Sequence, residues 1–183
     1  MCFCKWINSF WNEYKRIIES FFKKKYTGLF MAMWNKLKES GAEYLAFFRV
    51  RRSVAESDGN YSGLAYHGSL TAQLDMINKN PDMFMATTIT ENWIGNASTK
   101  HSIDIRNYIT LMEEYGKEGE LNDSYGNAAT FKDGILTTTM KTLYGSNNKC
   151  HYGKFGYGII GADAAFNMYK ALHTKEFSIV KTD

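Results

Sequence analysis

The sequence predicts an α+β fold: a small, mostly antiparallel sheet with helices packed on it, preceded by an N-terminal amphipathic helical hairpin. Three observations carry this reading. Residues 3–22 sort apolar and charged side chains onto opposite sides of a helix. The middle of the chain alternates short aromatic or β-branched runs with turn chemistry, and hairpin-like strands beside helices favour α+β over a doubly wound sheet. Finally, 183 residues that are 44% hydrophobic, with a single proline, suffice for a packed core that needs no disulfide or metal.

The first element is the most strongly patterned. Advancing about 100° per residue, Phe3, Trp6, Ile7, Phe10, Trp11, Tyr14, Ile17, Ile18, Phe21 and Phe22 fall within an arc of roughly 160°. Lys5, Asn8, Asn12, Glu13, Lys15, Arg16 and Glu19 fill the remainder. Tyr26-Thr27-Gly28 interrupts the pattern, and Leu29, Phe30, Met33, Trp34 and Leu37 resume it as a second helix stopped by Gly41. Residues 3–40 thus read as a helical hairpin or a long broken helix, which divides the chain into an N-terminal amphipathic helical segment (1–40) and an α+β body (41–183).

Within the body, the aromatic run Tyr44–Val50 predicts a strand. Turn chemistry at Glu56–Asn60 predicts a hairpin back to a strand over Leu64–His67. Ser69 is placed to cap a helix through Asn78, ended by Asn80-Pro81-Asp82, and Met83–Ile89 reads as another strand. Trp93–Thr99 reads as loop, and Ser102 as the cap of a helix carrying Ile105, Tyr108, Ile109, Met112 and Tyr115. Residues 116–127 and the glycine-rich 145–161 read as loops; Ile135–Leu143 fits strand and helix alike. Ala162–Leu172 predicts a helix and Phe177–Val180 a closing strand.

Composition narrows the function. A net charge of +3 is too mild to imply nucleic acid. Cys2, Cys4 and Cys150 form neither a disulfide framework nor a metal-ligand spacing, which predicts a reducing, intracellular (cytoplasmic) setting and no metal. Charges interrupt the N-terminal stretch, so it predicts no membrane span; peripheral membrane association stays open. The three sequons at Asn60, Asn96 and Asn122, where chance alone supplies about two, carry no weight without a secretion signal.

The chemistry-bearing motifs are few. Gly156-Tyr157-Gly158-Ile159-Ile160-Gly161 satisfies G-x-G-x-x-G but lacks the preceding strand and following βαβ unit of a dinucleotide fold, so that reading is rejected. Read with Tyr66-His67-Gly68-Ser69, the run Phe155-Gly156-Tyr157-Gly158-Ile159 resembles the motifs of ADP-ribosyltransferases of the His-Tyr-Glu class. That resemblance implies NAD as cofactor, His67 on the nicotinamide ribose and Glu176 positioning the ribose for transfer. The family's stacking tyrosine falls on Ile160, with Tyr157 nearby. A second match, to the Arg-Ser-Glu class of the same superfamily, uses Arg49, Thr87-Thr88 and Glu118-Gly119-Glu120. Arg49, Arg51 and Arg52 are candidate anion-binding residues at the end of an aromatic strand.

The leading expectation is a non-enzymatic binding or structural interaction protein without cofactor. It docks on a membrane surface or a protein partner through Phe3, Trp6, Phe10, Trp11, Ile18 and Phe22. The alternative is the NAD-dependent transferase built on His67, Tyr157 and Glu176.

Overall fold

The computed structural model describes residues 3–49, 61–93, 95–122, 128–144 and 151–174. Among these, the chain divides into two compact units between Met85 and Ala86.

The first unit contains α1 (Phe3–Glu39), β1 (Leu45–Phe48), α2 (Tyr61–Lys79) and most of β2 (Met83–Thr87). α1 is one continuous helix of 37 residues, about 55 Å long at 1.5 Å per residue. The predicted hairpin is therefore replaced by a single helix running through Tyr26-Thr27-Gly28. A lone glycine costs a helix only about 1 kcal/mol, and packing on either side outweighs that: Tyr26 stacks on Phe30 at 4.4 Å, and Trp34 is fully buried. The helix ends where the sequence places its stop. Gly41 adopts φ +93°, and Gly41 N–H and Ala42 N–H bond the carbonyls of Lys38 and Leu37, the paired arrangement of a Schellman cap.

α2 replaces the predicted strand at Leu64–His67, and Ser69 lies inside it rather than capping it. The strand reading rested on four residues, too few to separate period two from period 3.6. The longer register decides the matter: Gly68, Ala72 and Met76 recur every four residues and, with Gln73 and Ile77, are buried on one face. Gly68 is the point where α2 crosses α1. A Cβ there would lie 2.5 Å from the Glu19 carbonyl oxygen and 2.9 Å from Phe22 Cβ, so only glycine permits this approach.

Above the crossing, the buried Gln73 amide donates to Tyr26 OH at 3.0 Å and to the Phe48 carbonyl at 2.9 Å, tying α1, α2 and β1 together. Burial is the main cause that raises the Tyr26 phenol above its ordinary pKa. Trp34, Phe47, Met76, Ile77, Met83 and Met85 form the core below, and β1 lies parallel to β2.

The second unit contains β3 (Lys100–Asp104), α3 (Ile109–Tyr115), β4 (Gly119–Asn122), β5 (Ala128–Lys132), β6 (Ile135–Thr139), α4 (Met140–Tyr144) and α5 (Lys154–Thr174). The strands form one antiparallel sheet of order β3-β6-β5-β4. With the helices this is the α+β class the sequence predicts. β3 takes the place of only the first residues of the helix expected from Ser102, whose later part forms as α3 and carries Ile109, Met112 and Tyr115. Ser102 and Asp104 point to solvent while Ile103 and Ile105 are buried, a period-two pattern. β4 occupies part of the predicted 116–127 loop, and the ambiguous Ile135–Leu143 segment is both things in turn, strand β6 and then helix α4.

β5 and β6 are joined by Asp133-Gly134, both at positive φ (51° and 82°), with Lys132 opposite Ile135. This is the two-residue turn whose twist matches a hairpin. α5 begins seven residues before the end of the predicted 145–161 loop, because Phe155, Ile159 and Asp163 and the offset set Gly156, Ile160 and Ala164 recur every four residues and are all buried. The core of this unit joins Ile103, Ile105, Phe131, Leu136, Leu143, Tyr152 and Ile159. The predicted turn at 56–60 and the closing strand at Phe177–Val180 lie outside the described residues.

Candidate functional site on the N-terminal helix

α1 has more apolar surface than its own unit covers. One side turns to α2: Phe22 is half-buried with its Cβ beside Gly68, Ile18 is half-buried, and Lys23 pairs with Asp75 of α2 at 2.6 Å. The adjoining side does not. Ile17 is 57% exposed, Phe21 50% and Tyr14 41%. At 100° per residue these three occupy an arc of about 60°, which Lys24 and Lys25 bracket one turn further on. The Lys25 ammonium lies over the Phe21 ring, 4.9 Å from its centre.

The electrostatics of α1 are equally uneven. It carries eight basic residues and three acidic ones, a net of +5, against +3 for the whole chain, so the rest of the chain is net negative. Arg16 is paired with Glu13 at 2.7 Å, Lys36 with Glu39 at 2.7 Å, and Lys38 with Asp82. Lys24 and Lys25 have no carboxylate partner among the described residues. No described helix is long and apolar enough to cross a membrane.

The predicted interaction residues thus separate. Ile18 and Phe22 are used at least in part within their own unit, whereas Tyr14, Ile17 and Phe21, members of the same sequence arc, face solvent. Phe3, Trp6, Phe10 and Trp11 lie on the backbone of α1, and their side chains are outside the described residues. Of the anion-binding candidates, Arg49 is buried at 8% exposure, and Arg51 and Arg52 lie outside the described residues.

The two described transferase candidates both lie on helices. His67 is an exposed residue of α2 in the first unit, on a helix where the motif asks for a strand. Tyr157 is exposed on α5 in the second unit, and the whole Phe155–Ile159 motif is helical. Glu176 lies outside the described residues.

One polar cluster escaped the sequence reading. Asp163, 8% exposed on α5, accepts hydrogen bonds from Tyr108 OH at 2.6 Å and from Thr87 Oγ1. Asn167, one turn along α5, donates from its side-chain amide to the Ala86 carbonyl at 3.0 Å. Burial first, then the bond to Asp163, raises the Tyr108 phenol above its ordinary range. The signal was a lone carboxyl in the apolar run Ala162-Asp163-Ala164-Ala165. Both carboxylate oxygens are occupied by hydroxyl donors of the same unit, so the cluster acts as an internal tie.

A second polar feature is the half-buried His101 opposite the buried Thr138 on the β3–β6 ladder. Neither the His101 Nε2 nor the Thr138 Oγ1 has a hydrogen-bond partner among the described residues, and burial lowers the His101 pKa. Among the described residues no group of three or more Cys, His, Asp and Glu side chains is arranged to hold a metal ion. No protein-family profile, characterised protein or solved structure matches the chain.

Proposed function

We propose that this chain is a binding protein that docks through the solvent-facing side of α1. The observation that carries the reading is the exposure of Ile17 and Phe21, with Tyr14, on the side of α1 that α2 leaves uncovered. Large apolar side chains scattered singly need no explanation, but three sharing an arc of about 60° on one helix make a contiguous patch. Covering Ile17 and Phe21 would contribute roughly 3 kcal/mol, at about 1.5–3 kcal/mol for a fully buried large side chain.

The experiment is velocity sedimentation of the tagged full-length chain from a cell extract. The wild-type chain is expected to sediment with something larger than itself, and the double variant Ile17→Asp/Phe21→Asp to sediment as the free chain while keeping the wild-type circular dichroism. Identical sedimentation of the two folded proteins overturns the reading.

A further inference from the structure

The charge around the exposed patch says what kind of surface it fits. The net +5 of α1 is set against a body of opposite sign, and no acidic residue occurs on the helix between Glu19 and Glu39. Arg16, Lys23, Lys36 and Lys38 are already committed to carboxylates, as described above. Lys24 and Lys25 are not, and they bracket Ile17 and Phe21.

The identity of these cations matters. An arginine fork reads a fixed carboxylate bidentately and is the residue favoured at protein–protein hot spots, and the one arginine of α1 is tied to Glu13. Lysines present compact, strongly hydrated charges on flexible stems, able to reach upward while an apolar neighbour sinks. A shallow apolar insertion flanked by such charges is the chemistry of a helix lying in the headgroup region of an anionic bilayer. With no described helix able to cross a membrane, the attachment is in the plane of the surface.

We infer that the surface engaged by α1 is an anionic lipid interface, with Ile17 and Phe21 entering the headgroup boundary and Lys24 and Lys25 at the level of the phosphates. This rests on the docking reading above and narrows it to one partner.

The test uses the purified full-length chain and extruded vesicles of phosphatidylcholine alone or with 30 mol% phosphatidylserine, the bound fraction being read by co-flotation. Binding is expected with phosphatidylserine present, to be weak without it, and to fall when salt is raised. Lys24→Gln/Lys25→Gln should lower the partition coefficient on the order of twenty-five-fold, since each basic residue near such a surface is worth about a factor of five. Ile17→Asp/Phe21→Asp should lower it at least as far, and both variants should keep the wild-type melting temperature within a few degrees. Equal binding to both vesicle types, or no response to the lysine variant, overturns the lipid assignment. No vesicle binding combined with persistent Ile17- and Phe21-dependent sedimentation from extract also overturns it, pointing to a soluble partner and leaving the docking reading in place. Loss of both would end both.

Discussion

At the scale of single residues, glycines of the two helices α2 and α5 make opposite demands. Gly68 sits against the α1 backbone, so Gly68→Ala should destabilise the protein by about 1–3 kcal/mol through overpacking, although alanine is the better helix former. Gly158 and Gly161 of α5 have open space where a Cβ would be, and there the same change should stabilise by roughly 0.5–1 kcal/mol. Chemical denaturation of the three variants checks both signs. Tyr108→Phe removes one of two donors to a buried carboxylate and should cost about 1–3 kcal/mol, whereas Tyr157→Phe on the exposed side of α5 should change little. None of this was readable from composition, because a glycine in a sequence does not reveal whether backbone or water lies beside it.

At the scale of elements, legibility followed the length of the repeating signal. The Phe3–Phe22 pattern is long, and α1 was found, as was its Gly41 stop; only its continuity past Gly28 was missed, because local propensity was read without the packing of Phe30 and Trp34. A four-residue run misled at Leu64–His67, read as a strand, and the capping chemistry of Ser102 placed a helix start too early, although the spacing of Ile109, Met112 and Tyr115 marked α3. The β5–β6 hairpin is a different kind of miss, since Phe131-Lys132-Asp133-Gly134-Ile135 contains the Asp-Gly pair that signals such a turn. Gly134 adopts φ +82° and lies against the Arg106 side chain. Gly134→Val should therefore loosen the hairpin, read as faster amide exchange in β5 and β6 than in α1. The apolar arc of α1 was legible, but not which part of it stays exposed: what α2 covers depends on the crossing at Gly68, a tertiary fact.

At the scale of the whole molecule, two half-buried titratable groups shape the pH dependence of stability. The folded pKa of His101 is lowered below its unfolded value near 6.5, so the unfolded chain binds more protons in that window. Stability is complete above about pH 6.5 and is lost as pH falls toward the folded value. Tyr108 works in the other direction: its folded pKa is raised, so its contribution is complete below the ordinary tyrosine value of about 10 and is lost as pH rises beyond it. Melting temperatures against pH should thus form a plateau, its acid shoulder flattened by His101→Gln and its alkaline shoulder by Tyr108→Phe. The exposed Asp104, whose carboxyl the Arg106 guanidinium holds down to about 2, adds little to either shoulder because solvent screens the pair.

The tie at Asp163 bears on uniqueness as well as on strength. α5 carries three glycines and four alanines beside its buried Phe155, Ile159 and Ile160, and where small residues pack, neighbouring alignments differ little in energy. Asp163 and Asn167, one turn apart, meet their partners in only one such setting, so they act as a key that selects one alignment among near-equals. Replacing both by leucine should leave a helix that still packs but no longer knows where to stop. Its signature is a cooperative melt accompanied by broadened or doubled amide resonances along α5.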